Sequence, residues 1–168
     1  ETWVSFTPLG SVFVSMAKVK EHAIAGVTLS MKNCFGITPC TIYGNRVPQD
    51  EPSPVPYAGR QEIVHNGSRQ PPKYAAQEKD PSSPRQAGYR VPRCVADLVA
   101  SRPIHLAILE GIQTITGAEL PRANTRFVEP GYLVAGRNCV NTDAVGMALM
   151  GFDPMADRGK APFERADS

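Results

Sequence analysis

The stretch Ile104-His105-Leu106-Ala107-Ile108-Leu109-Glu110-Gly111 decides the fold class of this 168-residue chain. Five of its first six residues are apolar, with no alternation between polar and apolar positions. An apolar run of this length that ends at a glycine is typical of a central parallel strand covered on both faces. The stretch therefore predicts a buried strand over residues 104–109, with a carboxylate at its end.

Shorter elements alternate on either side of this strand. Strands are predicted over residues 11–17 and 132–135, which are short and apolar. Helices are predicted over residues 27–35, from Pro92 to before Pro103, and from Asn141 or Thr142 to Gly151, with Asp143 in the first turn. This order predicts an α/β fold, in which a partly parallel sheet has flanking helices. Because the sequence stops abruptly at residues 163–168, we expect it to be a segment of a larger domain.

Residues 38–92 differ in texture from the rest of the chain. Ten of the sixteen prolines lie there, separated by Gly, Ser, Gln and charged residues with little hydrophobic periodicity. Irregular stretches of this length are uncommon inside a compact domain and are usually functional loops or insertions. We therefore predict a long Pro-rich covering loop or insertion within a single α/β domain of residues 1–168.

Composition excludes several classes of protein. The formal net charge of +2 is too small to indicate nucleic-acid binding. The sequence contains no run of 18 apolar residues, so it does not predict insertion into a membrane. The four cysteines, at positions 34, 40, 94 and 139, form no Cys-x-x-Cys pair, so an iron–sulfur cluster is not supported within this segment. Two locations stay open, the cytoplasm or export with the signal removed.

Polar side chains follow each of the three predicted strands. Lys18, Lys20 and His22 follow the first strand, Glu110 follows the second, and Asp143 lies beyond the third. In open α/β sheets, ligands bind beyond the carboxyl ends of the strands. If the three strands are parallel neighbours, these groups converge on one crevice.

Two kinds of site fit these residues. In the first, Glu110 and Asp143, with His22, hold a divalent metal ion, while the ligand-binding set of Lys18, Lys20, His22, Lys32 and Asn33 holds a small anionic ligand. In the second, the lysines and a helix start near Gly26 bind a phosphate or carboxylate without metal. Glu119 and His65 are weaker candidates for the same crevice. The contrasting hypothesis is a non-catalytic binding or assembly module whose charged cluster is structural.

An ordered set of short motifs resembles a known family. The set comprises Lys18-Val-Lys-Glu-His22, Gly26-Val-Thr-Leu29, Lys32-Asn33-x-Phe35-Gly36, Leu109-Glu110-Gly111-Ile112 and Thr142-Asp143-Ala144-Val145 through Met150-Gly151. In order and spacing it is similar to the bacterial and archaeal family called domain of unknown function 362. Three positions depart from the family pattern, because Ala17 replaces a proline, Glu21 a threonine, and Glu110 an aspartate.

The resemblance implies an uncharacterised protein in which these motifs form the site. We expect an enzyme of redox or group-transfer type. Some relatives carry a separate ferredoxin module, so the resemblance leaves room for a ferredoxin-like module or partner outside this segment. It implies no particular substrate or metal.

Overall fold

The central sheet has three strands in a computed structural model that describes residues 11–44, 59–119, 121, 123 and 125–163. The strands are β1 (Val14–Lys18), β4 (Leu106–Gly111) and β7 (Tyr132–Gly136), in the order β1-β4-β7. Strand β1 is parallel to β4, with Val14 opposite Leu106 and Lys18 opposite Glu110. The predicted α/β fold with a partly parallel sheet is therefore confirmed.

Strand β7 runs antiparallel to β4, with Gly136 opposite Ala107 and Tyr132 opposite Gly111. The three strands are therefore not all parallel neighbours, and the expectation that their ends converge is wrong for the third strand. The chain leaves β7 at the end of the sheet where β1 and β4 begin. Short apolar strands carry no signal of direction, which is why the sequence did not reveal this.

Only one face of the sheet is covered by the described residues. Ala107 and Leu109 in β4 are completely buried, whereas Leu106 and Ile108 are half-buried. Met16, on the same face as Ile108, is 63% exposed. The prediction that β4 is covered on both faces is therefore wrong for the described residues. An unbroken apolar run does not show which face of a strand is packed.

Two further strand pairs flank the sheet. Strands β2 (Lys20–His22) and β3 (Gly26–Thr28) form an antiparallel hairpin. Strands β5 (Thr114–Thr116) and β6 (Arg126–Val128) form a second antiparallel pair, in which Ile115 lies opposite Phe127.

Four α-helices lie in the described part of the chain: α1 (Ser30–Asn33), α2 (Cys40–Tyr43), α3 (Ala87–Ser101) and α4 (Cys139–Leu149). A 3-10 turn (Cys34–Ile37) follows α1, and a π-helical turn (Gln61–His65) precedes α3. None of the described helices is long and apolar enough to cross a membrane.

Each predicted helix is present, but its start differs. The first begins at Ser30, because Gly26–Thr28 pairs with β2 instead. Helix α3 begins five residues before Pro92, and burial of Arg90 and Val91 stabilises that additional turn. Helix α4 begins at Cys139, because the Asn138 side chain accepts a hydrogen bond from the Asn141 N–H and caps it.

The helices pack on the sheet around two apolar clusters. One joins Ala17, Val19 and Leu29 to Leu109 and Met147. The close approach of α4 depends on Gly146, where an added Cβ would lie 2.5 Å from Leu109 Cδ1. This packing fixes the position of the strand ends on which the predicted site lies.

The second cluster draws on the Pro-rich residues 38–92. Its buried members include Ile42 and Tyr43 of α2 and Ile63 and Val64 of the π-helical turn, packed with Leu98 of α3. Arg90 fixes this segment to α3, since its guanidinium donates hydrogen bonds to the Ile63 carbonyl at 2.8 and 2.9 Å. Residues 45–58 lie outside the described residues, so the covering loop as a whole stays a prediction.

Candidate functional site

Lys18, Lys20 and His22 lie on one side of a continuous extended segment. Ala17 and Val19 point to the other side and are each 1% exposed. The Val19 N–H donates to the Glu110 carbonyl at 3.0 Å, and the Thr114 hydroxyl donates to the Val19 carbonyl. The segment thus passes from β1 into β2 without a turn, and strand alternation places the three basic residues in a row.

Lys18 lies at one end of this row and is paired with Glu110. Its ammonium forms an ion pair with the Glu110 carboxylate and donates to the Gln113 carbonyl at 2.9 Å. The Glu110 carboxylate also accepts a hydrogen bond from the Ile112 N–H at 2.8 Å. Both predicted residues are therefore at the same strand ends, and each already has partners there.

Lys20 and His22 converge on Glu119. The Lys20 ammonium donates to the Glu119 carbonyl at 2.9 Å, and the Glu119 carboxylate accepts from the Ala23 N–H at 2.9 Å. His22 Nε2 lies 4.0 Å from the same carboxylate. The loop candidate Glu119 thus lies beside two of the predicted ligand-binding residues.

The imidazole of His22 is held in one neutral tautomer. Its Nδ1 accepts hydrogen bonds from the N–H groups of Ile24 and Ala25, both at 3.1 Å, so the ring proton is on Nε2. Burial, followed by the charge of Lys32, lowers the pKa of His22 from 6.5 to about 4. His22 is therefore an uncharged hydrogen-bond donor at neutral pH, and its N–H faces Glu119.

Lys32 completes the cluster from helix α1. Its Nζ lies 4.4 Å from the centroid of the Phe35 ring, an arrangement typical of a cation–π contact. Burial lowers the pKa of Lys32 to about 8, although Glu119 opposes this shift; the charges of Lys20 and Arg60 add to it. Two cations, Lys20 and Arg60, therefore act on Lys32, and the carboxylate of Glu119 opposes them.

A cavity of about 310 Å³ opens beside Lys18 and Lys20. Glu119 contributes to its polar side, and Ile115, Pro121 and Phe127 form an apolar side. The lining combines two lysines, of which Lys18 is paired with Glu110, with an apolar wall, so Lys20 is the residue there that suits a negatively charged ligand.

Asp143 and Asn33 lie in a different place. The Asp143 carboxylate is buried and accepts hydrogen bonds from the Ser30 N–H at 2.9 Å and the Met31 N–H at 3.0 Å. Its pKa is raised by burial, while the hydrogen bonds from Ser30 and Met31 work against that rise. The Asn33 amide donates to the Ser15 hydroxyl and to the Met16 carbonyl, both at 3.2 Å. These contacts tie α1 to α4 and β1.

The structure therefore does not bring the three predicted metal ligands together. Each of Glu110, Asp143 and His22 already accepts hydrogen bonds from backbone N–H groups. Among the described residues, no group of three or more His, Cys, Asp or Glu side chains is placed to hold a metal ion. These residues do not fit a shared ion, and metal binding stays a prediction of the sequence.

The helix start that was predicted near Gly26 as part of an anion site is not at that position. The helix begins at Ser30, and the N–H groups of its first turn are used by Asp143. The residues that sequence reasoning missed are Arg60, Ile115 and Phe127. Arg60 lies in the Pro-rich segment, far along the chain from Lys32, and no local pattern connects the two.

Comparison with known proteins adds one finding to this geometry. The model of a domain of unknown function, DUF362, matches residues 10–148, a span that includes β1 through most of α4. No curated protein and no solved structure matches the chain. A match over this share of the sequence, which includes every motif up to Val145, shows that the chain belongs to the DUF362 family.

Proposed function

We propose that this protein binds a small anionic ligand at the cation cluster formed by Lys20, His22 and Lys32. The observation that carries the proposal is the local excess of positive charge. The charges of Lys20 and Arg60 both act on Lys32, and Glu119 is the carboxylate that opposes them there. Such a cluster is stabilised by an anion that neutralises its mutual repulsion.

The hydrogen-bonding capacity of the cluster supports the same proposal. Lys20 donates one hydrogen bond, to the Glu119 carbonyl, among the described residues, and an ammonium group has three N–H donors. The Nε–H of Arg60 is buried and has no hydrogen-bond partner in the described part of the chain. Lys32 forms no ion pair within 4.0 Å there. The guanidinium of Arg60 donates elsewhere, to the Thr38 carbonyl at 3.2 Å, so the unused donors of Lys20 and Lys32 are the ones suited to a phosphate or carboxylate.

The pKa of Lys32 supports an enzymatic role for the bound anion. A lysine with a pKa of about 8 exchanges protons close to neutral pH, which an ordinary lysine does not. Group-transfer chemistry on an anionic substrate uses such a proton donor or acceptor. We therefore favour an enzyme of redox or group-transfer type over a module whose charged cluster is structural.

A binding titration tests the proposal. Inorganic phosphate is added to the labelled protein at low ionic strength, and NMR shifts give the dissociation constant. We expect Lys20→Met and Lys32→Met each to weaken binding by about tenfold, the effect of about 1.4 kcal/mol. The matched control is Lys73→Met, because Lys73 is exposed and has no contact with the cluster.

Two outcomes would contradict the proposal. Phosphate that binds equally well to the wild type and to both cluster variants binds elsewhere. A protein whose resonances do not respond to phosphate, but whose two lysine variants are strongly destabilised, has a structural cluster. In that case the non-catalytic module is the better description.

A further inference from the structure

The cavity beside Lys18 and Lys20 has an apolar side that the proposed function does not use. Ile115 and Phe127 are cross-strand partners in the β5–β6 pair and so extend from the same face. Pro121 adjoins them in the lining of the cavity. Ile115 is 9% exposed, whereas the ring of Phe127 is 80% exposed.

A single exposed phenylalanine is unremarkable on a protein surface. Phe127 is different because it lines the same concave site as Lys18 and Lys20. Ile112, the residue immediately after β4, is 51% exposed. The apolar part of a ligand would cover apolar side chains that are exposed to water around a cavity.

The two lysines that line the cavity are held in place. The Lys18 ammonium donates to the Gln113 carbonyl, and the Lys20 ammonium donates to the Glu119 carbonyl, both at 2.9 Å. The two carbonyls lie on either side of strand β5, which carries Ile115. The charged and apolar walls are therefore fixed relative to each other by the same short segment.

This inference rests on the proposed function and deepens it. We propose that the ligand is an amphipathic small molecule, with a carboxylate or phosphate group bound at Lys20 and an apolar chain or ring against Ile115 and Phe127. Charge complementarity places its anionic group at the lysines, and the apolar wall places the remainder. A volume of about 310 Å³ is at the lower end of the range for small-molecule pockets, so the occupant is small.

A series of straight-chain carboxylates tests this arrangement directly. Acetate, butanoate and hexanoate share one anionic group and differ only in apolar length. A fully buried methylene strengthens binding by about fourfold. Because the cavity is open on one side, we expect hexanoate to bind at least about tenfold more tightly than acetate, as measured by NMR titration.

Variants then locate the apolar contact. We expect Phe127→Ser to reduce the preference for hexanoate over acetate by at least about threefold while leaving acetate affinity unchanged. Met155→Ser is the matched control, because Met155 is 84% exposed and is not part of the cavity. Lys20→Met should weaken both carboxylates by a similar factor.

The outcomes separate this inference from the proposed function. Equal affinity for acetate and hexanoate, with both weakened by Lys20→Met, would overturn the amphipathic ligand and leave anion binding intact. A hexanoate preference that survives Phe127→Ser would likewise overturn it, because the chain would then lie elsewhere. If no carboxylate and no phosphate binds, both proposals fail.

Discussion

The carboxylate of Asp143 caps the backbone of Ser30, although 113 residues separate them in the chain. One carboxylate oxygen accepts from the Ser30 N–H at 2.9 Å and from the Ser30 hydroxyl at 2.6 Å. The other accepts from the Met31 N–H at 3.0 Å. A residue predicted to bind metal is thus the group that satisfies the first turn of α1.

Removal of this cap should destabilise the fold. Asp143→Ala leaves buried N–H donors without partners, so we expect the free energy of unfolding to fall by about 2 kcal/mol or more. Urea denaturation measures the change. Asp97→Ala, at an exposed position of α3, is the control and should leave the midpoint nearly unchanged. A wild-type midpoint in Asp143→Ala would contradict the structural role.

The stability of the protein should depend on pH through His22. Its folded-state pKa is about 4, whereas its ordinary value is 6.5, so the folded state binds fewer protons there than the unfolded state between these pH values. The contribution of neutral His22 to the free energy of unfolding is therefore complete above pH 6.5. It is lost as the pH falls toward 4, which lowers the free energy of unfolding by up to about 3 kcal/mol. Lys20, Lys32, Glu119 and His65 are the charged groups that act on His22.

Urea denaturation at several pH values between 4 and 7 checks this dependence. In His22→Gln, the loss of stability toward pH 4 should be smaller than in the wild type. His105→Gln is the control, since His105 is an exposed histidine outside the cluster. Parallel pH profiles for the wild type and His22→Gln would show that another group is responsible.

Lys32 should titrate at an unusual pH. Reductive methylation with a ¹³C label gives each lysine a separate NMR signal whose position follows its protonation. We expect a midpoint of about 8 for Lys32, and a lower midpoint in Glu119→Gln, because Glu119 is the group that raises the pKa. A midpoint above 10 for Lys32 would rule out the crowded, desolvated environment.

Arg90 should be essential for the packing of the Pro-rich segment. Its buried guanidinium donates to the Ile63 carbonyl, to the Pro84 carbonyl at 3.2 Å, and to the Glu78 carboxylate at 3.0 Å. Arg90→Met leaves the Ile63 carbonyl without its two donors and removes one of the two arginines that pair with Glu78, so we expect a loss of about 2 kcal/mol or more in urea denaturation. Arg93, on the same helix as Arg90, forms an exposed ion pair with Asp80, so Arg93→Met should have a far smaller effect. Equal losses for the two variants would contradict the role of Arg90.

The row of Lys18, Lys20 and His22 could be predicted from sequence because strand alternation depends only on neighbouring positions. The sequence suggested Glu119 as a candidate for the same site, but it could not predict the contacts of Glu119 with Lys20 and His22. It depends on a hydrogen bond between the Ala23 N–H and the Glu119 carboxylate, which are 96 residues apart in the chain. Such a contact is a product of tertiary packing and leaves no periodic trace.

The predicted convergence with Asp143 failed for a different physical reason. Glu110 and Asp143 follow two apolar strands that look alike in sequence, yet those strands run in opposite directions. Both directions bury the same residues, so the hydrophobic pattern cannot distinguish them. The orientation of β7 separates the two carboxylates. Glu110 forms an ion pair at one end of the sheet, and Asp143 caps helix α1 near the other.

Val19 alone lies between β1 and β2, and this makes the length of the segment part of the site. Because side chains alternate along an extended chain, one inserted residue between Lys18 and Lys20 would turn Lys20 and His22 toward the side where Val19 is buried. A substitution at one of these positions changes one group, whereas an insertion displaces every group that follows. The site therefore depends on the register of this segment. We expect a shift of one position to disturb the arrangement of the site more than the loss of any one charge does.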